Sequence, residues 1–157
     1  MRTLIRHVAI VPSIVVFLAG CATEVRPTAR AMPKSVPDLS VVIDCGGCEV
    51  RPAVPDLIRT AYADAAVKAG VAVAGDAPII VTIKEYTTRS KAIRVASMLA
   101  GPLAFALKDE IKVVVVVDGT PVPLEYSYHA PFKGIDAVAT KLGEMSFDAV
   151  TRQRPKD

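Results

Sequence analysis

Aromatic side chains are scarce: tyrosine and phenylalanine number four each and tryptophan is absent, which leaves few stacking platforms. Histidine is scarcer still. His7 lies among the first residues, so His129 is the single imidazole of the rest of the chain. A closed tetrahedral zinc site needs four protein ligands; His129, Cys45 and Cys48 supply three, Asp44 or Glu49 could add an oxygen, and a second subunit would be needed to complete such a site. Charge of one sign is not in excess either. With Arg2 and Arg6 set aside as part of a leader, 17 basic residues remain of 19, against 16 acidic ones. That balance gives no electrostatic reason for a nucleic-acid partner, whose phosphates demand a basic surface. There is no phosphate-cradling glycine loop and no metallohydrolase motif, and no cofactor is expected. What the chain has in quantity is valine, alanine, leucine and isoleucine. A 52% hydrophobic share over 157 residues suffices for one sizeable core and not for two.

The N-terminus reads as an address. Arg2 and Arg6 precede an apolar stretch over residues 8–19, interrupted at Pro12 and Ser13 and too short to span a bilayer comfortably as a permanent helix. Leu18-Ala19-Gly20-Cys21 follows, and it resembles the bacterial lipoprotein processing motif, in which small residues let an extended backbone enter a peptidase. The resemblance implies cleavage after residue 20, a lipid on Cys21, and enough acyl chains for stable anchoring. Ala22 stands where an aspartate implies inner-membrane retention, so the implied location is the outer membrane, facing the periplasm. Pro27, Pro33 and Pro37 among polar residues suggest an extended tether over residues 21–38. A single domain over residues 39–151 and a short tail over 152–157 complete the expected organisation.

Within the domain, Leu39 to Ile43 is short and β-branched, which predicts a strand, and Cys45-Gly46-Gly47-Cys48 predicts a turn. Val54, Leu57, Ile58, Ala61 and Ala65 recur at helical spacing, with Pro55 and Asp56 in the first turn and Gly70 at the exit. Ile79, Val81 and Ile83 then alternate with polar residues as in a half-wet strand. The valines from Val113 to Val117 predict a central strand covered on both faces. Asp118-Gly119 predicts a hairpin turn into Leu124, Tyr126 and Tyr128 on one face and Glu125, Ser127 and His129 on the other. A last helix is expected from Ile135, Val138, Leu142, Met145 and Ala149, with Gly143 allowing close contact. The economical arrangement is α+β: a two-layer sandwich of a mainly antiparallel, three- to four-stranded sheet with two main helices on one face. The pattern is similar to that of small bacterial envelope lipoproteins of unassigned function. It is distantly similar to periplasmic domains of curli-secretion and cell-wall-synthase-activator lipoproteins, which implies envelope assembly or regulation without a catalytic residue.

Three groups invite function. Cys45 and Cys48 are a candidate disulfide that an oxidising compartment permits; a thiol–disulfide exchanger would also need a lowered thiol pKa, with Arg51 as the nearby cation. Arg89, Lys91 and Arg94 form a basic run that reads first as the solvated approach to a buried helix in the apolar residues 92–107, where Gly101-Pro102 breaks any spanning helix. With Met98, Leu99 and Phe105 they make a candidate interaction surface, or, if the segment opens, a site for lipid or another hydrophobic ligand. Tyr126 and Tyr128 are expected in or beside the core. The leading expectation is a non-enzymatic, lipid-anchored protein that binds an envelope protein or another copy of itself. The alternatives are thiol–disulfide exchange and hydrophobic-ligand binding.

Overall fold

The computed structural model describes residues 32–75, 77–90, 92–93, 108–129 and 133–154. All of these fall in the compact unit Ala31–Asp157, one of two into which the chain separates. The elements are β1 (Ser35–Val36), β2 (Leu39–Ile43), α1 (Ala53–Lys68), β3 (Ala72–Val73), β4 (Ile79–Thr87), β5 (Asp109–Val117), β6 (Thr120–Tyr128) and α2 (Ile135–Gln153). The main sheet has the order β2-β4-β5-β6; β2 runs parallel to β4, and the other neighbours are antiparallel. Both helices cover one face of it, giving the expected two-layer α+β sandwich.

Each element ends where local chemistry stops it. Gly70, with φ at 69°, closes α1: its N–H donates to Val67 O and that of Val71 donates to Ala66 O, the paired bonds of a glycine-terminated helix. Asp118 and Gly119 both have positive φ, 49° and 80°, the geometry of a two-residue hairpin whose twist matches its strands. The core side of the sheet is Leu39, Ile79, Val81, Ile83, Ile111, Val113, Val115 and Val117, all buried. Val54, Ile58, Tyr62 and Ala66 of α1 and Val138, Leu142, Phe147 and Val150 of α2 close over it. Tyr62 and Phe147 meet edge-on at 6.0 Å between ring centroids. Ser146 and Thr151 are tolerated in this layer because their hydroxyls donate to the carbonyls of Leu142 (2.7 Å) and Phe147 (3.0 Å) one turn back.

Three expectations are corrected. The fold begins before Leu39, because β1 pairs in parallel with β3 and Val36 is fully buried; the prolines flanking it do not keep it out of the core. In α2 the stripe is broader than a single line of apolar residues, so Phe147 and Val150 are buried while Met145 is only half-buried at its side. β5 is interior to the sheet, yet Val114 and Val116 are only partly covered on the face away from the helices. Valine is favoured there by the pleated, half-buried surface itself, not by burial on both sides.

Tyr62 fastens the start of the domain to α1, its hydroxyl donating to Pro37 O at 2.9 Å. Burial pushes its phenol well above the ordinary tyrosine value of 10.0. Tyr62→Phe is expected to lose about 1 kcal/mol at neutral pH. Because the folded pKa is raised, the native chain's advantage is complete below the ordinary tyrosine pKa and falls as pH rises above it, where only the unfolded phenol ionises. Urea unfolding at neutral and strongly alkaline pH should therefore show the two proteins converging; a constant gap would contradict this origin.

Candidate interaction surface

The face of the sheet opposite the helices has two halves. Cross-strand register sets Ser40, Ile80, Val116 and Pro121 in one row and Val42, Thr82, Val114 and Pro123 in the next. Ile80 is 46% exposed and Val42 44%, and no helix among the described residues lies over them. Beyond a register shift between Ile83 and Glu85 the face becomes charged, with Glu85, Lys112 and Glu125 in one row and Thr87, Glu110 and Ser127 in the next. Lys112 bonds Glu85 at 2.8 Å, and that bond raises its ammonium pKa. At the shift Lys84 turns to Asp44 and holds that carboxyl below its usual range. The result is an apolar surface bordered by a neutralised ionic one, suited to covering by another apolar surface.

A second concave region lies at the other layer's edge. Tyr126 and Tyr128 of β6 and Lys133, Ala137, Thr140, Lys141 and Glu144 along α2 line a groove of about 420 Å³. Lys133 sits 6.0 Å from the Tyr128 ring centroid, and Lys141 bonds Glu144 at 2.8 Å. A smaller depression of about 220 Å³ is lined by Val122 and Leu124 of β6 and Met145 and Ala149 of α2. The expected placement of Tyr126 and Tyr128 at the core edge holds: both are half-buried and pack against the core cluster.

Of the residues singled out by sequence, Cys45, Cys48 and Arg89 are among those described. Cys45 and Cys48 are joined in a disulfide, with Cα atoms 5.6 Å apart, in the turn after β2. Gly46 and Gly47 supply the positive φ values, 62° and 102°, that let the turn close. Arg51, the cation considered for thiol activation, is committed elsewhere: it bonds Asp136 at 2.9 Å, and its backbone N–H donates to Tyr86.

Arg89 corrects the expectation of a solvated or partner-facing charge. It is 5% exposed and paired with fully buried Asp109: Nε and Nη2 donate to Oδ2 at 3.1 and 2.9 Å, and its backbone N–H donates to Oδ1 at 2.7 Å. Thr88 Oγ1 donates to the same carboxylate at 3.2 Å, and Nη1 reaches His129 O at 3.1 Å. The cluster ties together the end of β4, the start of β5 and the end of β6. Lys91, Arg94, Met98, Leu99 and Phe105 lie outside the described residues, as do Cys21 and the leader. Among the described residues no group of three or more histidine, cysteine or acidic side chains is arranged to hold a metal, and no helix is long and apolar enough to cross a membrane.

No protein-family model matches the chain, and no curated protein does. Among solved structures it is similar to PelC from Paraburkholderia phytofirmans, a dodecamer seen in two crystal forms. For a variant PelC the identity is 14%, with 79% of this chain and 92% of that chain covered and a TM-score of 0.42. For the second form the values are 12%, 79%, 95% and 0.41. Both likenesses are distant.

Proposed function

We propose that the chain is a non-enzymatic envelope lipoprotein, held at the periplasmic side of the outer membrane by acyl chains on Cys21. Its domain binds an envelope protein or a second copy of itself in envelope assembly or maintenance. The observation that carries this reading is the apolar half of the sheet that neither α1 nor α2 covers, where Ile80 and Val42 stand exposed beside Val114, Val116, Pro121 and Pro123. Contiguous apolar surface of this kind is stabilised when covered, and a lipid anchor would raise the local concentration of the domain near membrane-bound partners. Thiol exchange through Cys45 and Cys48 has less support, since the nearby cation is engaged with Asp136.

The test uses the full chain, expressed in bacteria and extracted from membranes in mild detergent, with intact mass reporting the lipid on Cys21. Chemical cross-linking in the envelope should give discrete adducts. Ile80→Asp should weaken association by about tenfold or more, the effect of losing one well-covered interface side chain, with the melting temperature nearly unchanged. Adducts that persist equally in Ile80→Asp and Val42→Asp chains would remove the open face from the reading.

A further inference from the structure

The edge of the sheet at β6 is closed to pairing at one end and open at the other. Directly opposed residues of an antiparallel pair alternate between those that exchange both backbone hydrogen bonds and those that exchange none. Proline has no N–H, so Pro121 and Pro123, opposite Val116 and Val114, occupy pairs that exchange none. Glu125 opposite Lys112 and Ser127 opposite Glu110 fall in the same phase. Their N–H and C=O groups therefore point outward from the sheet, and among the described residues no strand pairs with β6 on that side. The two prolines delete the outward donors of the first half of the strand, which is how an edge is protected from indiscriminate pairing. The second half keeps its donors, beside the groove of about 420 Å³ between Tyr126, Tyr128 and α2.

We propose that β6 and α2 form a receptor for an extended peptide, which adds as a short strand against Glu125 and Ser127 and sets alternate apolar side chains into the Tyr126–Tyr128 groove. Strand addition takes affinity from main-chain bonds and selectivity from the pockets that receive every second side chain. The charges fix the chemistry of the occupant further. Lys141 is satisfied by Glu144, whereas the ammonium of Lys133, beside the Tyr128 ring, forms no ion pair with a carboxylate of the described residues. A peptide with an acidic residue at this end supplies that carboxylate, so the ligand class is an extended segment, alternately apolar, with an acidic end. The inference deepens the interaction-module reading but uses neither the open sheet face nor the lipid, so the two fail separately.

The probe is a synthetic peptide of alternating valine and threonine ending in aspartates, added to the full chain in detergent. Hydrogen exchange should find the amides of Glu125 and Ser127 fast in the free protein and slowed about tenfold or more by the peptide. Ser127→Pro removes one outward donor, leaves the bonds to β5 intact as Pro121 and Pro123 do, and should weaken binding about tenfold without lowering the melting temperature appreciably. Lys133→Glu should weaken the acid-ended peptide and not a version with neutral ends, while Ile80→Asp should leave peptide affinity unchanged. Three results would each overturn the proposal: no binding of the peptide, equal binding by the Ser127→Pro chain, or slow exchange at both amides before peptide is added, which would mean the chain covers its own edge.

Discussion

Asp109→Ala is expected to cost about 3–5 kcal/mol of unfolding free energy, as removal of one partner from a buried ion pair commonly does. The carboxylate is fully buried and accepts from the Arg89 side chain, the Arg89 backbone and the Thr88 hydroxyl. Without it the buried guanidinium loses its two bonds to that carboxylate, and the ends of β4, β5 and β6 lose a common fastening. The size of the loss is not the net worth of the pair, because folding also strips water from both ions. A chain carrying Arg89→Met together with Asp109→Leu should accordingly recover most of the stability lost by Asp109→Ala. Urea unfolding of the native chain, Asp109→Ala and the Arg89→Met, Asp109→Leu double variant, followed by far-ultraviolet circular dichroism, measures both quantities. A single-substitution loss below about 1 kcal/mol, or a double variant no better than Asp109→Ala, would show that the cluster is not the pin described.

That cluster also marks where sequence stopped being informative. Arg89 stands in a run with Lys91 and Arg94, and a charge run taken locally reads as hydrated; its carboxylate comes from the first residue of β5, across a connection that no local pattern can close. The elements themselves were legible because each is signalled by neighbours in sequence: Gly70 ends α1, Asp118-Gly119 turns β5 into β6, and alternation at Ile79, Val81 and Ile83 gives the buried face of β4. The two-layer arrangement followed, since two amphipathic helices and one sheet have few other ways to bury their apolar faces. The strand at Val36 was hidden because two residues carry no periodicity, and its pairing with Ala72 and Val73 is settled only by the packing of α1 between them.

The surfaces were less legible than the core. Val114 and Val116 look the same in sequence as Val113 and Val115, and only the placement of both helices on one side separates half-covered from buried valine. The proline phase on β6 was partly visible, because Pro121 and Pro123 are two apart and must share a phase in any strand that contains both. What sequence could not supply was that β6 ends the sheet and that α2 leaves a groove beside it.

Gly143 is the point at which helix packing leaves no room for a side chain, and Gly143→Ala should destabilise by about 2–3 kcal/mol despite alanine's advantage within a helix. Two opposed effects meet at this position. Alanine is favoured over glycine in a helix interior by about 1 kcal/mol, which alone would make the variant more stable. Against that, a Cβ built on Gly143 collides with the carbonyl oxygen of Ile58, comes within 2.7 Å of the Ala61 Cβ and lies 3.0 Å from the Tyr62 backbone nitrogen. The first and last of these are backbone atoms of α1, which no rotamer change moves aside, so α1 and α2 would have to separate along their shared interface. Separation would loosen Tyr62 from Phe147 and open the core on both sides of the contact. The steric effect therefore wins. Ala61→Gly removes only the side-chain collision and leaves the one with Ile58, so in combination with Gly143→Ala it should restore little; a variant as stable as the native chain, or full rescue by Ala61→Gly, would show that the helices yield more easily than this contact implies.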